Sequence, residues 1–178
     1  MGRMELRLAG SGGQGVILAS IILAEAAVNA GRFACQTQSY GPEARGGSCK
    51  AEAIVSDTRI SYPEVSDPVF VMALTQAAAN KYVKNLRDDA IVLLDSGVIP
   101  PEGSDKYKVY SLPILETAEH KIGKLMTANI VAVGAINRIL NICSFETLTE
   151  TVRNRVPKGT EELNLRALSA GNDMPLEG

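Results

Sequence analysis

The residues with the clearest chemical content are Gly10-Ser11-Gly12-Gly13-Gln14-Gly15. They follow an alternating run and precede a long apolar stretch, so the pattern predicts a strand-to-helix turn. Glycines at such a turn let the backbone bend sharply and let a ligand reach the free N–H groups of the first helical turn. An anion is the ligand those groups suit; a tight turn with no ligand is the alternative. The spacing matches Gly-x-Gly-x-x-Gly, but the dinucleotide fingerprint also needs an acid about 20 residues further on, at the end of the second strand. Here that strand ends in Thr37-Gln38-Ser39, which argues against NAD or FAD. Val16-Ile17 stand where a Walker loop has Lys-Ser/Thr, which excludes that motif.

A second candidate is Tyr40-Gly41-Pro42-Glu43-Ala44-Arg45-Gly46-Gly47. Three glycines and a proline give this loop a defined shape and little room for a core side chain. Arg45 offers a planar fork of donors for phosphate or carboxylate, and Glu43 can orient it. A surface salt bridge in a structural turn is the competing reading. His120, the single histidine, falls near a helix end beside Lys121, where surface exposure is expected. Asp95 follows a strand and is either a turn cap or a residue facing the crevice beyond the sheet. No serine or cysteine has a nucleophile context such as Gly-x-Ser-x-Gly, so no catalytic residue is assigned. Cys35, Cys49 and Cys143 form no Cys-x-x-Cys pair. Three thiols fall short of the four that an iron–sulfur cluster normally takes, and no metal site is expected.

The elements that position these residues read as one α/β domain over 1–178. Strands are predicted at about 4–9, 32–38, 48–55, 68–74, 90–95 and 106–112. Helices are predicted at about 14–30, 76–86, 114–122, 127–141, 145–154 and 161–169. Alternating strands and helices followed by a helical C-terminal part imply a three-layer, Rossmann-like domain with a mostly parallel sheet. The first helix is apolar on nearly every face, so it should be buried on more than one side. Gly134, inside a helix, costs about 1 kcal/mol relative to Ala, which suggests a close packing partner. The 178 residues carry 18 Lys+Arg and 20 Asp+Glu, a net charge of −2. That balance gives no electrostatic footprint for nucleic acid or an anionic membrane. No stretch approaches the roughly 18 apolar residues of a membrane span. The start, MGRMELRLAG, is too short and charged for a signal peptide, and the unpaired cysteines suit a cytoplasmic protein.

The two glycine motifs together are more specific than either alone. GSGGQG followed by QSYGPEARGG resembles the gamma subunit of the 2-oxoacid:ferredoxin (acceptor) oxidoreductases. NIVAVGA at 129–135 and NLRALSAG at 164–171 resemble further segments of that family, so the likeness covers about residues 4–171. QSYGPEARGGSCKAEAIVSD, with Ala44 before Arg45, is most like the 2-oxoglutarate branch; the pyruvate branch more often has a second arginine there. The resemblance implies an α/β subunit that closes the active site and binds coenzyme A. The residues it points to are Gly10, Gly12, Gly13, Gln14, Gly15, Tyr40, Arg45 and Gly46. Thiamine diphosphate and iron–sulfur clusters are implied on the alpha, beta and delta partners, with ferredoxin or another acceptor reached through the complex. The complex converts a 2-oxoacid to an acyl-CoA, and the isolated chain is expected to be inactive. Pyruvate, branched-chain and indolepyruvate enzymes remain alternatives, as does a non-catalytic nucleotide-binding regulator.

Overall fold

The computed structural model describes residues 2–39 and 48–176. Its six strands are β1 (Met4–Ser11), β2 (Phe33–Ser39), β3 (Ser48–Ser56), β4 (Phe70–Ala73), β5 (Ile91–Asp95) and β6 (Lys108–Leu112). They lie in the order β2-β3-β1-β4-β5-β6. The three pairings β1–β4, β4–β5 and β5–β6 are parallel. The pairings of β3 with β1 and β2 are antiparallel. The expected mostly parallel sheet is therefore a mixed sheet with a parallel majority. β3 folds back from β2 and occupies the place beside β1 that a simple β–α–β crossover would give to β2.

The helices are α1 (Val16–Asn29), α2 (Gln76–Tyr82), α3 (Ile114–Glu116), α4 (Ala128–Leu140), α5 (Phe145–Arg155) and α6 (Glu161–Asn172). α3 runs on into π-helical turns over Thr117–Ile122, and a 3-10 turn at Leu125–Thr127 leads into α4. Strand period two divides the core. Leu6, Leu8, Phe70, Met72 and Leu93 face α1 and the C-terminal helices. Ala9, Val71, Ala73, Val92 and Leu94 face α2. α1 is packed against the sheet on one side and α4 and α5 on the other, which accounts for its all-round apolar sequence.

α2 stops at Tyr82, short of the expected 86. Val83 leaves the helix at ψ 63° and Asn85 adopts a left-handed φ of 53°, a conformation that asparagine tolerates better than most residues. The suspected partner of Gly134 is α6. A methyl at Gly134 would lie 2.2 Å from the Leu168 carbonyl oxygen, and one at Gly171 would lie 1.9 Å from that of Val131. The two glycines let the α4 and α6 backbones touch.

Candidate functional site

The glycine turn leaves the carboxyl end of β1, a central strand, and opens α1. In an open parallel sheet this end is where ligands bind. Gly13 and Gly15 have φ of 91° and 70°, values that side chains resist. A methyl on Gly13 would meet no described atom within 4 Å. A methyl on Gly15 would sit 2.6 Å from Asn129 Nδ2. Gly10 is also close-packed: a methyl there would lie 2.5 Å from Gln14 Oε1. Gln14 folds back over the turn, where its Oε1 accepts from Ser11 N–H at 2.7 Å and its own N–H donates to the Ser11 carbonyl at 3.2 Å. The Gln14 side-chain amide thus braces the turn. Among the described residues nothing accepts from the N–H groups of Gly12, Gly13 or Gly15. The first N–H groups of α1 lack intrahelical partners by geometry. These donors stand at the positive end of a helix dipole, which suits phosphate or carboxylate.

Asn129 is the residue that sequence reading left off the site. It is 5% exposed, stands in the first turn of α4, and donates from Nδ2 to the Gly15 carbonyl at 3.4 Å while Oδ1 accepts from Ile130 N–H at 2.9 Å. The signal was its place in NIVAVGA, next to a helix start. A cleft of about 260 Å³ beside the turn is walled by Gly13, Gly15, Met126, Asn129, Thr160 and Leu163. A hollow of about 200 Å³ on the other flank is walled by Ser11, Gly13, Ile17 and Cys49.

Tyr40, Arg45 and Gly46 lie outside the described residues. The strand that follows them bears on the turn: Ser48, where β3 begins, pairs with Ser11. Asp95 is a turn cap. Its Oδ1 accepts from Gly97 N–H at 3.0 Å and its Oδ2 from Leu115 N–H at 2.8 Å. His120 is 72% exposed, 4.0 Å from Glu119. Burial pushes the Cys143 thiol up to about 11, away from nucleophilic use. Among the described residues no three His, Cys, Asp or Glu side chains come together as metal ligands. No helix there is long and apolar enough to cross a membrane.

Residues 5–174 match the family described as pyruvate ferredoxin/flavodoxin oxidoreductase. The chain belongs to this family. Within the oxidoreductase family it is similar to the 2-oxoglutarate synthase subunit KorC of Methanothermobacter marburgensis, at 41% identity over 99% of this chain and 98% of the relative. Its fold is that of the keto/oxoacid ferredoxin oxidoreductase gamma subunit of Geobacter sulfurreducens: TM-score 0.86 and 40% identity over 96% of this chain and 95% of the other. It also superposes on part of the 2-oxoglutarate:ferredoxin oxidoreductase of Magnetococcus marinus, solved with 2-oxoglutarate, coenzyme A and succinyl-CoA. There the TM-score is 0.87 at 22% identity, over 97% of this chain and 31% of the other. That last likeness is one of fold.

Proposed function

We propose that this chain is the gamma subunit of a 2-oxoglutarate:ferredoxin oxidoreductase, and that its glycine turn holds the diphosphate of coenzyme A. The observation that carries the reading is the set of N–H groups at Gly12, Gly13 and Gly15, without acceptors among the described residues. Bound there, coenzyme A would supply the thiol that receives the acyl group. The chain's own contribution is to orient and neutralise. The turn donates hydrogen bonds to the diphosphate, Gln14 and Asn129 fix the turn's shape, and the α1 dipole favours the negative charge. Arg45 would add a bidentate contact, and Tyr40 and Gly46 are further candidate contacts. Decarboxylation on thiamine diphosphate and electron transfer through iron–sulfur clusters belong to alpha, beta and delta partners, and closure of the shared site to this subunit. A place in the cytoplasm fits that chemistry.

Two measurements on the assembled complex test this. Turnover is compared for 2-oxoglutarate, pyruvate, branched-chain and indole 2-oxoacids; 2-oxoglutarate should have the highest kcat/KM, and a preference for another acid reassigns the branch. The second compares Gly13→Asp with Gly13→Ala. Both carry the strain of a positive φ, about 1–2 kcal/mol, and only the first adds a negative charge. Gly13→Asp should raise the KM for coenzyme A at least tenfold beyond Gly13→Ala and leave that for the 2-oxoacid alone. Equal effects of the two variants on both substrates would defeat the coenzyme A reading.

A further inference from the structure

A groove of about 670 Å³ runs along the outer side of α6, bordered by the π-helical turns and α5, and shares no residue with the cleft beside the glycine turn. Its floor is apolar, formed by Ile122 and Leu165, and three cations, Lys121, Arg153 and Arg166, stand around it. None of the three has an ion pair or hydrogen bond among the described residues. Of the molecule's nine described arginines, five are paired with carboxylates: Arg3, Arg7, Arg32, Arg87 and Arg155. Arg153 and Arg155 are two apart on α5, yet Arg155 reaches Glu25 at 3.6 Å while Arg153 borders the groove alone.

Charge along the groove is also ordered. Glu162 and Asp173 stand at the two ends of α6, about 16 Å apart at 1.5 Å per residue, with Arg166 between them and Arg153 and Lys121 flanking. A compact polyanion would meet two carboxylates at the ends. The groove is open along its length, whereas small-ligand sites enclose most of their ligand. We infer that it seats a segment of another chain of the same assembly, about three helical turns long, with carboxylates at its centre, basic residues at its ends and an apolar stripe toward Ile122 and Leu165. Complementary charge of this kind sets register and on-rate. The inference takes from the proposed function only that the occupant is a partner chain of that enzyme.

The test uses the complex reconstituted from its separately purified chains. The double reversal Arg153→Glu/Arg166→Glu should weaken assembly at least tenfold at low salt and flatten its salt dependence, since fixed charges at a rim act through screened attraction. The control Arg59→Glu/Arg138→Glu reverses the other two described arginines without an ion pair and should assemble as wild type. Melting temperatures of the free chains check that both variants fold. A benzophenone carried on Ser169→Cys, in the groove, should cross-link to a partner peptide with central carboxylates. Wild-type assembly by the groove reversal, or capture of a neutral or basic peptide, overturns the inference while leaving the proposed function standing. A wild-type chain that fails to assemble with the thiamine-binding chains overturns both.

Discussion

Gly15 and Asn129 hold each other in place. The glycine is left-handed, and its missing Cβ is the space that the Asn129 amide occupies. Gly15→Ala should cost about 1–2 kcal/mol for the backbone conformation alone and more for displacing Asn129. Asn129→Ala removes the obstacle and the 3.4 Å contact to the Gly15 carbonyl. The double variant should therefore be less destabilised than the two single losses summed, by about 0.5 kcal/mol or more, in urea melts of the purified chain. Strict additivity would mean that the two residues do not share a space. The glycine spacing was legible because only a tight strand–helix turn uses it. The role of Asn129 was not, since the partner of a Gly Cβ lies more than a hundred positions away and no local rule names it. Arg45, the side chain with the most direct chemical argument, falls outside the described residues and keeps its standing as an expectation.

Between elements, the strongest constraint is the contact of α4 with α6. Each glycine there faces the other helix's backbone, which has no rotamer to yield. Gly134→Ala and Gly171→Ala should each destabilise by about 1–3 kcal/mol, despite the roughly 1 kcal/mol that alanine gains in helix propensity. The thermal midpoint should fall by about 2–4 °C for each kcal/mol at this chain length. Because α6 and the turn before it also supply Thr160 and Leu163 to the cleft wall, both variants should disturb the glycine site at a distance. A second constraint ties β1 to the connection before β4. Burial of Glu5 acts to raise its carboxyl, but the backbone N–H groups of Asp67 and Ser66 and the Arg3 guanidinium outweigh it and hold the group below its ordinary value. The folded chain then binds fewer protons than the unfolded one in the acid range. This stabilisation is complete at neutral pH and is lost as pH falls below about 4.5 through the folded value. Glu5→Gln should lower stability at pH 7 and flatten the acid limb, read from melts between pH 7 and pH 3. Strand and helix positions were legible from period two and from glycine and proline stops. The antiparallel insertion of β3 was not, because pairing order depends on which edges meet across the sheet and leaves no trace in one strand's pattern.

As a whole molecule the chain is one subunit of an oxidoreductase. Purified alone, it should be colourless, with iron well below stoichiometric and no turnover, since Cys35, Cys49 and Cys143 cannot supply four cluster ligands. Visible charge-transfer absorption in the isolated chain would contradict this. Its sheet has a consequence for how the molecule is made. β1 is the first strand in the chain, yet it finishes near the middle of the sheet, with Leu6 opposite Ala53 on one side and Phe70 on the other. Both neighbours are synthesised later, and at roughly 5–20 residues per second β1 waits several seconds on the ribosome with two bare edges. The glycine turn at its end is unformed for that whole interval, because Ser11 has no Ser48 to pair with and Gly15 no Asn129 to rest on. The glycine turn is thus synthesised well before the residues that shape it, and a nascent chain halted before α4 would carry the motif without the Asn129 contact.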